Sequence, residues 1–260
     1  MARVSAIDYQ ETVWSHVFPG NQLTVNCLPD ALQGVQSSLE LAEKQRKRTV
    51  WRMDGGGGSD ANFRRLLQQG YQLHAKGLSS SRAAALAKKV SRWDAYGDIW
   101  LGEVEPTFDF GRPIRVFVQR RCKKGKFLHN YFVSTMKLPS KKHFLAYYND
   151  RGGAETEQFR EDKSGLAMAV RRKQSLTGQM GYIFLTDLAH NLLADFKRHA
   201  LQGSRFEGYG LKRIIRDLLC MPGVLVFDNH KLVRIDLLSQ KQNAPDLLIC
   251  LERYYMHRFS

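Results

Sequence analysis

The chain has 260 residues, enough for one large domain or two small ones, and 43% of them are hydrophobic, so it can bury a substantial core. Its 40 basic residues outnumber its 25 acidic ones, and the net charge of +15 favours a polyanionic partner such as nucleic acid. No apolar run approaches the roughly 20 residues that cross a bilayer, and the first residues lack a signal-peptide layout, so we expect no membrane association.

The first third of the sequence predicts alternating strands and helices. We expect one or two strands in 3–18, a helix in 30–48, a short buried strand in 49–53, a helix in 61–69 capped by Ser59 or Asp60, and a strand in 71–76. This order of elements predicts an α/β sheet with parallel members.

The middle of the chain has a different pattern. A helix in 81–91 is followed by three strand-like runs, 98–104, 114–120 and 127–135, which predict an antiparallel β insertion. Lysines around Gly125 predict a basic hairpin turn. Such a ribbon suits a nucleic-acid groove, and an ordinary solvated turn has the same pattern, so the two interpretations have equal support.

The last part of the chain is mainly helical. We expect helices in 181–201, 208–219 and 244–257, and a hairpin over 224–237. His190 lies in an apolar helical stretch and is expected to be a packed or capping histidine rather than a metal ligand. The four cysteines are far apart in sequence and form no Cys-x-x-Cys pair, which disfavours structural zinc and favours a reducing cytoplasm.

Asp54 is the first candidate for chemistry, because it ends a β-branched, aromatic run and is followed by four glycines. A carboxylate at a strand end is accessible to a metal, and glycine lets a phosphate or a backbone approach closely. Mg²⁺ prefers oxygen ligands, and two such ions can align the attacking and leaving oxygens of a phosphoryl transfer. Alternatively, Asp54 is a turn former or a charge before a helix.

Glu155 and Glu157 form the second acidic candidate, at what the sequence predicts to be the start of a helix. Glu155 and Lys163 lie roughly 80° apart around such a helix, while Glu157 points away from Glu155. The alternative is an ordinary charged helix with internal pairs such as Glu157 with Arg160. Arg171, Arg172 and Lys173 either contact phosphate or form a solvated polar face.

Several of these motifs together resemble the DDE-type insertion-sequence transposases. The resemblance rests on Arg52-Met53-Asp54-Gly55-Gly56, on the later series Tyr148, Arg151, Glu155 and Lys163, and on the stretches 70–77 and 186–193, and it extends from about residue 3 to residue 253. It implies an α/β fold with a ribonuclease-H-like mixed sheet flanked by helices, an antiparallel β insertion and a helical C-terminal region. The implied domains are a partial core in 1–78, the insertion in 79–147 and the completion of the core in 148–260.

The resemblance also implies roles for individual residues. Asp54 matches the second catalytic aspartate and Glu155 the catalytic glutamate, and together they would bind Mg²⁺ or Mn²⁺. Tyr148, Arg151 and Lys163 match residues that contact DNA phosphates or organise the site. The spacing from Glu155 to Lys163 is one residue longer than is usual in the family, so Glu157 stays open as the alternative ligand.

Two further departures from the family matter. Gly57 stands where the family often has a bulky aromatic residue. The first catalytic aspartate of the family sits on a central strand that precedes the segment matching 3–21, and the surroundings of Asp8, the early candidate, match a later strand instead. We therefore expect an N-terminally truncated member of the family.

Three functions remain open at this point. The first is metal-dependent cleavage and strand transfer of DNA, with transposon ends and target DNA as partners, in the bacterial cytoplasm beside the nucleoid. The second is an inactive remnant that at most binds DNA or forms an oligomer with itself or with an intact transposase. A basic RNA-binding protein is a third alternative, although the sequence has no aromatic RNA-binding signature.

Overall fold

The structure, a computed structural model, describes residues 1–170, 173–238 and 241–259, without the side chains of 151–156 and 258–259. The chain divides into two compact units, one made of Met1–Val4 with Phe18–Gly153 and the other of Ser5–Val17 with Ala154–Ser260. The fold is mixed α/β, as the sequence predicts, with a six-stranded sheet flanked by helices. Within the described residues, no helix is long and apolar enough to cross a bilayer.

The chain begins with strands β1 (Ala2–Ala6) and β2 (Glu11–His16), which form a two-stranded sheet. The elements that follow are a 3₁₀ turn (Thr24–Cys27), α1 (Leu28–Leu39), α2 (Glu43–Arg46), β3 (Val50–Met53), α3 (Asp60–Gln68), β4 (Gln72–Lys76), α4 (Ser80–Ala87), β5 (Trp93–Tyr96), β6 (Ile99–Val104), β7 (Arg115–Lys123), β8 (Lys126–Ser134) and α5 (Lys141–Gly165).

The six-stranded sheet has the order β3-β4-β8-β7-β6-β5. The predicted parallel pairing is confirmed for β3 and β4, and all the other neighbours are antiparallel. Two features differ from the expectation. Strands β1 and β2 lie outside this sheet, and the strands expected as an insertion extend the sheet that contains β3 and β4. Because such pairings join segments far apart in sequence, local patterns do not reveal them.

Helices cover both faces of the sheet. Successive residues of a strand point to opposite faces, and Tyr131 and Phe132 of β8 show this. The hydroxyl of Tyr131 accepts a hydrogen bond from Arg82 of α4 at 3.3 Å, whereas the ring of Phe132 meets Phe144 of α5 with centroids 5.6 Å apart. The core of this unit is therefore aromatic on the α5 side, where the ring of Phe144 also packs on that of Phe117 at a tilt, with centroids 3.9 Å apart.

Helix α5 is longer than the sequence predicts. The glutamates were expected at the start of a helix, but α5 begins at Lys141, so both positions lie well inside it. Phe144 and Leu145 are buried against the sheet, and this packing stabilises helix ahead of Gly152 and Gly153, which on propensity alone favour a break.

The second unit is mainly helical. Its remaining elements are α6 (Leu176–Phe196), a π-helical segment (Lys197–Leu201), α7 (Leu211–Arg213), a second π-helical segment (Ile214–Leu219), β9 (Gly223–Asp228), β10 (Lys231–Leu237) and α8 (Ala244–Phe259). The predicted hairpin is confirmed. The three predicted helical ranges are largely helical, although α6 begins earlier than predicted, at Leu176, and the helix predicted over 208–219 begins at Leu211. Asn191 of α6 fastens β2 by two hydrogen bonds of 2.8 Å to the backbone N–H and carbonyl of Thr12.

Candidate functional site

The candidate site is at the carboxyl end of β3. Trp51 and Met53 of this strand are buried, and Asp54, the next residue, is exposed. The Oδ1 atom of Asp54 accepts a hydrogen bond of 2.9 Å from the N–H of Gly56, which turns the chain directly after the strand. A carboxylate is thus fixed by its own loop and stays accessible to solvent.

Two glycines close to Asp54, Gly58 and Gly77, are required by close packing. A Cβ atom on Gly58 would lie 1.9 Å from the carbonyl oxygen of Lys76, and a Cβ atom on Gly77 would lie 1.9 Å from the ring of Tyr131. The N–H of Leu78 donates a hydrogen bond of 2.9 Å to the carbonyl of Gly58. The loop after β3 and the loop after β4 therefore touch backbone to backbone, and glycine is the residue that fits there.

Lys76 is a residue of this site that the sequence analysis did not single out. The parallel register pairs Arg52 with His74 and Met53 with Ala75, so Asp54 and Lys76 follow at the same edge of the sheet. The Cδ and Cε atoms of Lys76 lie 3.6 Å from the position of a Cβ atom on Gly55. The site thus combines a carboxylate and an ammonium group. The signal in the sequence was a lysine directly before a glycine at a strand end.

His74 lies in the interior of the same strand pair. Its side chain is fully buried, its Nδ1 atom is 3.0 Å from the hydroxyl of Ser134, and its ring lies 4.5 Å from that of Phe144 and 5.1 Å from that of Tyr147. Burial lowers the pKa of His74 to about 4, and the charge of Arg52 acts in the same direction. The imidazole is therefore neutral near pH 7.

Arg52 joins β3 to α5. Its guanidinium donates to the carbonyl of Tyr147 at 2.9 Å and to the carboxylate of Asp150 at 3.3 Å, and it lies 4.7 Å from the centroid of the Tyr147 ring. The Arg52 side chain is 8% exposed and the Asp150 side chain 69%, so the bond to the Tyr147 carbonyl is shielded from water and the ion pair is not. They hold the first half of α5 against the strand that ends in Asp54.

The glycine loop is also held from α3. Ser59 is the cap of this helix, since its hydroxyl accepts a hydrogen bond of 3.2 Å from the N–H of Asn62, and the Asn62 amide donates to the carbonyl of Gly57 at 2.9 Å. Asp60, the other predicted cap, forms instead a two-point ion pair with Arg82 at 2.5 and 2.9 Å. Asp60 is thus engaged away from the Asp54 carboxylate.

The glutamate candidates lie in the second unit. The side chain of Glu155, together with that of Arg151, falls outside the described residues. Glu157 is exposed, and its carboxylate lies 3.4 Å from the guanidinium of Arg160. This is the ion pair within the helix that the sequence offers as the alternative. Across the described part of the chain, no group of three or more His, Cys, Asp or Glu side chains is placed to hold a metal ion.

The predicted phosphate-contacting residues have different environments. The ring of Tyr148 is half-buried and packs on Phe132 with centroids 4.7 Å apart. Lys163 and Lys173 are exposed. Arg171 and Arg172 lie outside the described residues. The DNA contacts of these residues stay predictions.

His190 is a packing residue, as expected. Its Nδ1 atom is 2.6 Å from the carboxylate of Asp162, and its Nε2 atom is 2.8 Å from the carbonyl oxygen of Gln10. Both ring nitrogens are engaged, so the side chain links α5, α6 and the β1–β2 hairpin within the second unit.

No protein-family model matches the chain, and a comparison with curated proteins finds no match either.

Proposed function

We propose that the chain is a DDE-type transposase with a ribonuclease-H-like core, which cleaves DNA and transfers the freed strand to a target. The observation that carries the proposal is the exposed carboxylate of Asp54, fixed at the end of a parallel strand pair beside Lys76. The net charge of +15 supports a phosphate polymer as the substrate.

The arrangement of strands supports the ribonuclease-H-like part of the proposal. The sheet is mixed, with β3 and β4 parallel and the others antiparallel, and helices lie on both of its faces. The acidic residue follows directly after one of the two parallel strands. Ligand groups in open α/β sheets tend to lie at the carboxyl ends of parallel strands.

Carboxylate oxygens are the ligands that a hard divalent cation prefers. Asp54 and a glutamate of α5, Glu155 or alternatively Glu157, would hold Mg²⁺ or Mn²⁺, which supplies charge for the attacking and leaving oxygens of a phosphodiester. In this scheme the ammonium of Lys76 offsets negative charge on the phosphate next to Asp54. Tyr148, Arg151 and Lys163, with the cluster Arg171, Arg172 and Lys173, hold the DNA backbone.

The reaction itself requires no covalent intermediate with the protein. Water attacks the phosphodiester at the transposon end, and the 3′-hydroxyl that is freed then attacks a phosphodiester of the target DNA. The protein contributes positioning and electrostatic stabilisation. The fixed Asx turn of Asp54 and the dry layer of Arg52 and His74 beneath it serve that positioning.

A second candidate function is DNA binding or self-association without cleavage. Asp8 lies in the exposed turn between β1 and β2, in the second unit, rather than on a strand of the six-stranded sheet. Asp8 is thus not on a strand of that sheet, and the described residues contain no group of three or more potential metal ligands, which favours DNA recognition without cleavage.

The test is a strand-transfer assay with Mg²⁺ or Mn²⁺. The substrates are labelled duplexes taken from the DNA that flanks the coding sequence, together with a plasmid target. We expect Asp54→Asn to reduce the joined products by at least about 100-fold, or ~2.7 kcal/mol. The matched control is Asp30→Asn, which neutralises an exposed acid of α1 in the same unit and should leave the products unchanged.

The possible results separate the candidates. Equal products from the wild-type chain and Asp54→Asn would reject the role of Asp54. Binding without any cleavage by the wild-type chain would favour the second candidate. If cleavage occurs, comparing Glu155→Gln with Glu157→Gln identifies the glutamate ligand, since only the variant that removes a metal ligand should lose activity.

A further inference from the structure

The hairpin of β7 and β8 ends in a short, rigid turn. Its two central residues, Lys124 and Gly125, have φ angles of 52° and 74°. Two left-handed residues make the tight turn whose twist matches that of the adjoining strands. All residues from 121 to 128, here called the hairpin tip, are exposed. The tip is therefore a fixed surface rather than a loose loop.

The positive charges of the hairpin tip repel one another. Lys123 lies directly across the strand pair from Lys126, with Lys124 in the turn between them. The tip contains one arginine and three lysines but no acidic residue, and Arg121 pairs with Asp98 at 2.5 Å. Like charges directly opposite each other destabilise a hairpin. The phosphates of a polyanionic partner would attract each of these ammonium groups and so offset the repulsion between them.

The cations of the tip share one face. The side chains of Arg121, Lys123 and Lys126 follow the period of the strands onto the same face. Further along it, Asn130 donates a hydrogen bond of 3.2 Å to Gln119. This cationic face thus continues into a row of amide groups.

The opposite face of the hairpin is braced by aromatic rings. The guanidinium of Arg120 lies 4.3 Å from the ring centroid of Trp93, 5.3 Å from that of Trp100 and 5.1 Å from that of Phe127. Trp100 is directly opposite Arg120 in the register of β6 and β7. These contacts fix the strands relative to one another, so the side chains of the cationic face project from a braced ribbon.

We propose that the cationic face of the hairpin tip binds the phosphates of a DNA duplex, with the two-stranded ribbon at the major groove. The groove is about 12 Å wide and admits a two-stranded ribbon. The choice of DNA as the polyanion rests on the proposed function. The lysines of the tip make a binding surface separate from the Asp54 site, and they position the duplex without reading its sequence.

The experiment measures the binding of the full chain to a fluorescent DNA duplex of random sequence at several salt concentrations. The variant Lys123→Gln/Lys124→Asn/Lys126→Gln removes the three lysines, with asparagine at the position of positive φ. We expect the slope of log K against log salt to fall by about 0.9 for each lost phosphate contact, or up to ~2.7 in all.

The control variant removes the same charge elsewhere in the first unit. Lys44→Gln/Lys88→Gln/Lys89→Gln changes three exposed lysines outside the hairpin, and we expect it to leave most of the slope and affinity intact. Thermal unfolding checks the fold, and the hairpin variant should melt at or above the wild-type temperature because its like charges are gone. Equal losses for both variants would overturn the proposal in favour of diffuse charge.

Two further outcomes are distinguishable. A duplex RNA of the same sequence should depend less on the three lysines, because its major groove is deep and narrow. An equal dependence would overturn the assignment to DNA. Wild-type binding that needs the hairpin but leads to no cleavage would support this inference and reject the catalytic function, whereas wild-type chain that binds no DNA at low salt would overturn both.

Discussion

The interior of the β3–β4 pair and its carboxyl end place ionisable residues in opposite environments. In the interior, His74 is 0% exposed and its pKa falls to about 4. Two residues further along each strand, or ~7 Å, Asp54 is exposed beside Lys76. A dry layer thus fixes the strands, and the end of the same strands remains open to a charged substrate.

The largest expected effect comes from the glycine contact that closes this end. Gly77→Ala would place a methyl group 1.9 Å from the ring of Tyr131, which is itself almost fully buried. We expect the free energy of unfolding to fall by about 3 kcal/mol or more, measured by urea denaturation. Gly20→Ala is the control, since no atom lies within 4 Å of its Cβ position. Equal stability of the two variants would contradict the close packing.

The interior of the strand pair predicts a dependence of stability on pH. The pKa of His74 is lowered from 6.5 to about 4, so its contribution is complete above pH 6.5 and is lost as the pH falls towards 4. The loss should amount to about 3 kcal/mol. Unfolding free energies of the wild-type chain and His74→Asn, compared from pH 7 to pH 4, measure it. If the two curves stay parallel, the imidazole is not held neutral by burial.

The smallest expected effect concerns the open end. Asp54→Asn keeps an oxygen that can accept the hydrogen bond from Gly56, and the side chain is exposed. We expect the free energy of unfolding to change by less than about 0.5 kcal/mol, measured as for Gly77→Ala. A loss well above this value would assign Asp54 a structural role and remove the contrast with the interior.

Local features of this region follow from the sequence. A short β-branched and aromatic run, followed by a carboxylate and glycines, predicts a strand that ends at Asp54. Ser59 was one of the two predicted caps of α3. Residues 71–76 predict β4, and the order of elements predicts that the sheet has parallel members. Each of these signals lies within a few residues of the feature it predicts.

The remaining features depend on contacts between distant residues. No local signal places β8 next to β4. The lysine before a glycine at the end of β4 is visible in the sequence, but the parallel register is what puts Lys76 at the same sheet edge as Asp54. The predicted start of α5 was wrong. The packing of Phe144 on the sheet stabilises this helix more than the low helix propensity of Gly152 and Gly153 destabilises it. The pairing of Asp54 with a glutamate stays a prediction.

The sheet order has a consequence for the sequence of events in folding. Strands β5 to β8 follow one another in the chain and pair as neighbours, whereas β4 must find β8, so that Lys76 meets Phe132 only after a long loop closes. Short loops close at lower entropic cost than long ones. We therefore expect the meander to assemble first and the β3–β4 pair, whose own closure is shorter, to dock on β8 afterwards, so that the strand leading to the acidic residue is ordered later than the meander.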